Sequence, residues 1–298
     1  MSRRPSSPSR EGRPPVTADL EAAYAHCGDL LRETSRDRYR ADLFAPAGLR
    51  RHLFALHAFC AEIAQVREAV SAPMPGEIRL QWWRDAIEGE ARGDVAAHPV
   101  ASALLDTVAR FRLPREALLD LVDARVFDLY DDPMPSLADL EGYLGETASA
   151  PMRLASLVLA EGRDPGFADA AGHAGLAYGL AGLLRALPWH ARQGRLYWPK
   201  DILDRHGVTR DDIVRFRGGP GVTGSARDLI AEARRHYGEA RRLLAGLPKT
   251  LRPAFLPLAL VPGDLDALAH RKDPLAAPPE RPPLLSLWTL WRAARRGF

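Results

Sequence analysis

PAGLRRHLFALHAFCAEIAQVREAV, residues 46–70, carries Leu49, Leu53, Leu56, Phe59, Ile63 and Val66 at three- and four-residue steps behind Pro46. That spacing lays one apolar stripe along an α-helix and does not match the period of two that a strand requires. The same period spreads outward in both directions. In TADLEAAYAHCGDLLRETSRDRYRADLF, residues 17–44, Thr17 is placed to cap a helix on which Leu20, Tyr24, Cys27 and Leu31 recur. SAPMPG at 71–76 breaks the chain, and EIRLQWWRDAIEGEARG resumes it until Gly93, with Leu80 and Trp83 spaced for burial. Further helices are predicted at about 98–111, 114–130, 136–161, 167–187, 224–246 and 250–270, punctuated by Pro114, DDPMPS and Gly162. KDPLAAPPERPP at 272–283 forms a proline-rich connector to a last helix. No repeat and no long linker divides the chain. The expectation is one all-α domain over residues 17–298, preceded by a disordered tail at 1–16.

Composition narrows the function classes. The 298 residues are 46% hydrophobic and 27% charged, the proportions of an ordinary globular protein. A net charge of +3 is too small to indicate a nucleic-acid binder. No run approaches the ~18 apolar residues of a membrane-spanning helix. The tail MSRRPSSPSREGRPP has no apolar centre, so it does not read as a secretory signal, and its prolines oppose an amphipathic presequence helix. Cys27 and Cys60 form no disulfide framework and no zinc motif, and none of the nine histidines pairs as HxxxH. A reducing, cytoplasmic setting is expected.

One segment is unusual in its charge. From Ala170 to Lys200 there is no carboxylate, yet Arg185, Arg192, Arg195 and Lys200 all fall there. With ALHAFCAEIAQVRE at 55–68 and ARQGRLYWP at 191–199, this segment carries a resemblance. The chain resembles the squalene/phytoene synthase family of helical head-to-head prenyl transferases, over nearly its whole length. Family members typically have an ALYAFCR helix leading into D-D-x-x-D, and later N-x-x-R-D-x-x-x-D followed by A-R-x-G-R-x-Y-x-P. The resemblance implies an isoprenoid-synthase-type helical bundle around a central cavity.

In that family the carboxylates have a stated purpose. Ionising an allylic diphosphate needs magnesium ions, held by acids on two facing helices, to neutralise the leaving group. Acids four residues apart lie only ~40° from each other around a helix and can face one ion cluster. Here the first motif's positions read Ala64, Gln65 and Glu68, with Ala61 where an arginine is usual. The second motif's positions read Gly182, Ala186 and His190, while Arg185, Arg192, Gly194, Arg195, Tyr197 and Pro199 remain. Five expected acids have become one. Glu62 does not share a face with Glu68. Asp85 and Glu88, three apart on the next helix, would more simply be ion-pair partners than replacement ligands. No catalytic residue, no metal ligand and no cofactor is therefore expected; magnesium enters only if prenyl transfer survives.

The phrases AEIAQVREAVSAPMPGEIRLQWWRDAIEG and LLRALPWHARQGRLYWPKDILDRHGV resemble one branch of the family. That branch contains the mitochondrial assembly factor of respiratory complex I that has a squalene/phytoene synthase domain, and its bacterial relatives. This implies a non-catalytic role in complex I biogenesis, with complex I subunits or assembly factors as partners. The setting would be the cytoplasmic or mitochondrial matrix side, peripheral to the inner membrane. A working prenyl transferase, and a prenyl- or phospholipid-binding protein without turnover, are the alternatives. Tyr39, Arg185, Arg192, Arg195 and Tyr197 are the candidate head-group residues, because arginine forks bind phosphate without metal; the arginines would equally serve as salt-bridge partners. In LLSLWTLWRAARRGF, Leu284, Leu287, Trp288 and Trp291 share a side and Arg292, Arg295 and Arg296 close it, a pattern suited to anionic lipid or to closing the bundle.

Overall fold

The computed structural model describes residues 18–91, 94–278 and 280–298, and among them there are helices, turns and no strand. The expected tail at 1–16, the Thr17 cap and the stop at Gly93 lie outside the described residues. The chain opens with α1 (Ala18–Thr34), α2 (Arg36–Asp42), α3 (Ala47–Gln65), α4 (Pro73–Glu88), α5 (Pro99–Phe111) and α6 (Arg115–Ala124). It continues with α7 (Leu137–Leu144), α8 (Ala150–Leu159), α9 (Ala168–Arg192), α10 (Lys200–Arg205), α11 (Arg210–Val214) and α12 (Pro220–Leu243). The short α13 (Arg252–Phe255), then α14 (Val261–Ala269) and α15 (Pro283–Arg296), complete it.

One continuous apolar core joins most of these helices. The stripe of α3 delivers Leu53, Leu56, Phe59 and Ile63 to it, all essentially inaccessible. α1, α3 and α5 pack on one another, and α9 packs along α12, α14 and the α7–α8 rod. Leu80 and Trp83 are buried as their spacing predicts. A smaller cluster of Leu256, Leu260, Leu290 and Ala293 fastens α15 to the body.

Several boundaries differ from the periodicity, each for a local reason. α4 begins inside the expected SAPMPG break, because Pro73 and Pro75 occupy the first turn, where no backbone N–H is needed. The 250–270 segment becomes α13, a 3₁₀ stretch at Leu256–Leu260 and α14, since Pro253, Pro257 and Pro262 interrupt the ladder. α9 runs past Pro188 for another turn and ends where Gly194 takes a left-handed φ of 71°.

Two irregular turns shape the interior. After α6 the chain tightens into a 3₁₀ turn at Arg125–Leu129, and side chains three apart eclipse there, so Arg125 and Asp128 meet at 3.0 Å. Between α7 and α8 a π-helical turn, Gly145–Ser149, lies against α9. The close approach requires glycine: a Cβ at Gly175 would sit 2.3 Å from the Cα of Ser149. Ser149 Oγ then donates to the carbonyl of Gly172 at 2.8 Å.

Candidate functional site

A cavity of about 280 Å³ opens between α2, the 3₁₀ turn, the π-helical turn, α9 and α14. Along α9, Gly179, Gly182, Ala186 and His190 follow at three- and four-residue steps and present one face to it. Arg38 from α2, Arg125 from the 3₁₀ turn, Tyr143 from α7, Thr147 from the π-helical turn, Tyr178 and Arg185 from α9, and Asp264 from α14 complete the polar lining.

The wall is organised by buried hydrogen bonds. Asp128 Oδ1 accepts from the hydroxyls of Tyr143 (2.8 Å) and Tyr197 (2.9 Å), while Arg125 donates to Asp128 Oδ2. Burial pushes both tyrosine hydroxyls above their ordinary pKa, so they remain donors. Burial would lower Arg125, but the Asp128 carboxylate beside it outweighs this and holds the guanidinium charged. His190 packs on the Tyr197 ring with centroids 4.8 Å apart. Desolvation, then Arg195, presses its pKa down to about 4, so the imidazole is neutral near pH 7.

The structure separates the residues that the sequence grouped. Arg185 lines the cavity, 3.4 Å from Asp264. Arg192 lies over the Phe216 ring, Arg195 over Trp189, and Lys200 pairs with Asp204 one turn on. The acid-free cationic run is thus four arrangements rather than one phosphate clamp. Tyr39 stacks on Phe54 and does not line the cavity, and Tyr197 stands behind the wall as a support for Asp128. Ala64, Gln65 and Glu68 are likewise absent from the lining. Glu68 falls in the turn beyond the end of α3, exposed, and Gln65 faces a separate depression beside Trp82 and His98. Asp85 accepts from Gln81 and Glu88 lies 3.8 Å from Arg84, as ion-pair and hydrogen-bond partners on α4.

Arg38 and Arg125 were not singled out from the sequence. Arg38 leans over Tyr178 at 5.8 Å, and its Nη1 is buried without a hydrogen-bond acceptor, as is the Nε of Arg125. Three guanidiniums, tyrosine hydroxyls and a neutral imidazole suit an anion. A magnesium cluster needs several free oxygen ligands. Asp264 is the one carboxylate of the lining, and it is already engaged by Arg185 and by Arg281, which donates to both of its oxygens. The donor set on this wall does not fit such a cluster.

Glu62, above the depression that holds Gln65, carries a testable consequence. Burial raises its carboxyl pKa to about 7, and His98 lies 3.7 Å away. Between the ordinary value of 4.5 and 7 the folded chain binds more protons than the unfolded one, so this group's contribution to stability falls as pH rises. Glu62→Gln is expected to stabilise the protein by about 2 kcal/mol at pH 8 and to give no such gain below pH 4.5. Urea denaturation at the two pH values checks the difference; an equal gain at both would refute the assignment.

The fold and cavity define a class, and the comparisons agree. The family model for squalene/phytoene synthase matches residues 31–289, and the chain belongs to that family. It is 33% identical over 234 residues to the rat protein named NADH dehydrogenase (ubiquinone) complex I, assembly factor 6, covering 78% of this chain and 70% of that one. The human protein of that name is 32% identical, covering 85% and 77%. A presqualene diphosphate synthase of Sinorhizobium fredii is 29% identical, covering 77% and 81%. Among solved structures, a squalene synthase of Alicyclobacillus acidocaldarius superposes with a TM-score of 0.72 at 25% identity, covering 85% and 95%.

Proposed function

We propose that this chain is a non-catalytic member of the squalene/phytoene synthase family that assists assembly of respiratory complex I at a membrane surface. The observation that carries the reading is the cavity wall. Gly182, Ala186 and His190 line it where the family pattern has asparagine and two aspartates, and Arg38, Arg125 and Arg185 share the space. Such a wall offers a diphosphate counter-charge but no magnesium-held route for its departure. Relatives named for complex I assembly, matched over most of their length, supply the direction.

α15 supports the membrane part of the proposal. Ser286, Leu290 and Ala293 are buried against the body, while Leu284, Leu287, Trp288 and Trp291 are left exposed. Arg292 and Arg295 stack on Trp288 and Trp291 at 5.1 and 4.7 Å. Indole rings with guanidiniums beside them fit the polar–apolar boundary of an anionic bilayer. No described helix is long and apolar enough to cross a membrane. Deleting the gene in its own organism is expected to deplete assembled complex I, with restoration by the intact chain. The Trp288→Ser/Trp291→Ser chain should restore less and leave the membrane fraction. Unchanged complex I with altered isoprenoid products would sink the reading.

A further inference from the structure

Away from the cavity, three helices bring together a second group of side chains. Glu232 and His236 lie one turn apart on α12 and so share a face, Glu141 reaches them from α7, and His173 from α9. His236 is only 3% exposed. Its Nε2 lies 3.0 Å from Glu141 Oε1 and 3.2 Å from Glu232 Oε1, and its Nδ1 lies 2.8 Å from His173 Nδ1. Both carboxylates keep some contact with solvent.

Arg235 sits at the focus of this group. Its Nη2 touches all three atoms: His236 Nε2 at 2.8 Å, Glu141 Oε1 at 3.4 Å, and Glu232 Oε1 through a hydrogen bond. A guanidinium only donates and a carboxylate only accepts, so Arg235 calls for a lone pair on His236 Nε2 while the two glutamates call for a proton there. The tautomer with the lone pair on Nε2 is the one that can ligate an ion. In that tautomer the imidazole proton is on Nδ1, which lies 2.8 Å from His173 Nδ1 and donates to it. There the nitrogen lone pair lies 3.0 and 3.2 Å from two carboxylate oxygens, and the three atoms all lie within 4.8 Å of one another, a grouping that a bound cation stabilises. Arg235 supplies one positive nitrogen at the focus, but its side chain is 53% exposed and free to swing into solvent.

We propose that Glu141, Glu232 and His236 form a binding site for a divalent transition-metal ion of the zinc class, which Arg235 occupies as a competing cation and which His173 orients. Ligand atoms held 2.0–2.2 Å from one ion stand about 3.0–3.4 Å apart, for angles between octahedral and tetrahedral. The 3.0 and 3.2 Å separations fall in that range. One imidazole nitrogen and two carboxylates are a donor set for zinc, with water completing the sphere. The Nδ1–H donated to a second group is the orientation that metal-bound histidines adopt. A bound ion would clamp α7 to α12 beside the π-helical turn. It would lie outside the lining of the 280 Å³ cavity, so this site is independent of the function proposed above.

The test is zinc titration of the tag-free, EDTA-stripped full-length chain by calorimetry. The expected result is one equivalent bound by the intact chain, weakened about 10- to 100-fold by His173→Gln through lost orientation and more by Glu232→Gln. Arg235→Ala, at an exposed position, should tighten binding by removing the competitor. No zinc bound by the intact chain would overturn the site, as would binding that survives Glu232→Gln or that Arg235→Ala fails to tighten.

Discussion

Asp128→Ala is expected to destabilise the protein by about 3–5 kcal/mol, the cost of stranding a buried charge. Asp128 is the shared acceptor for Arg125, Tyr143 and Tyr197, and its side chain is 5% exposed. Its removal leaves a guanidinium without its counter-charge and two hydroxyls without the carboxylate that accepts from them. Asp128→Asn keeps an acceptor but loses the charge, and should fall between. Replacing Arg125 as well, by Met, should recover part of the loss, because removing a buried pair whole is much less costly than breaking it. Chemical denaturation of the four chains measures this. An Asp128→Ala loss below about 1 kcal/mol, the range of an exposed pair, would show that the network does not hold the cavity wall.

Gly175→Val should cost about 3 kcal/mol, the upper end for overpacking, because the obstacle is backbone. A Cβ there meets the N, Cα and Oγ of Ser149 at 2.3–2.4 Å, and the π-helical turn would have to move away from α9. Gly182→Ala on the same helix is the control. Nothing lies within 4 Å of a Cβ at Gly182, so alanine should stabilise by about 0.5–1 kcal/mol. Thermal denaturation compares the two. Equal effects would mean that α9 and the π-helical turn are not in close contact.

The helical class was legible because its evidence is repetitive: five apolar positions of α3 and its C-cap Val66 all keep the same period. The proline-rich first turn of α4 and the extension of α9 past Pro188 were not, because the same residue can open a helix, end it or ride in its last turn according to what the neighbouring backbone needs. The missing acids at Ala186 and His190 could be read by position alone, and the structure places both in the cavity wall. Arg38 could not. It stands in SRDRYRAD among arginines that look alike, and adjacent residues on a helix point about 100° apart. The packing of α2 therefore turns Arg38 inward and leaves Tyr39 on Phe54. The Glu141–Glu232–His236 group was out of reach for a different reason: its members meet only when α7 and α12 both pack against α9. Glu68 shows the limit of position alone: it takes the third place of the first motif, but the helix stops at Gln65 and leaves it in the turn beyond.

Product analysis tests most directly whether this chain has lost prenyl transfer. The purified full-length chain is incubated with farnesyl or geranylgeranyl diphosphate and magnesium, beside a family member that keeps its aspartates. No squalene, phytoene or cyclopropyl diphosphate intermediate is expected from this chain while the control turns over. Product at a rate near the control's would contradict that loss, and would mean that a cavity lined by Arg38, Arg125, Arg185 and a neutral His190 can still ionise a prenyl diphosphate.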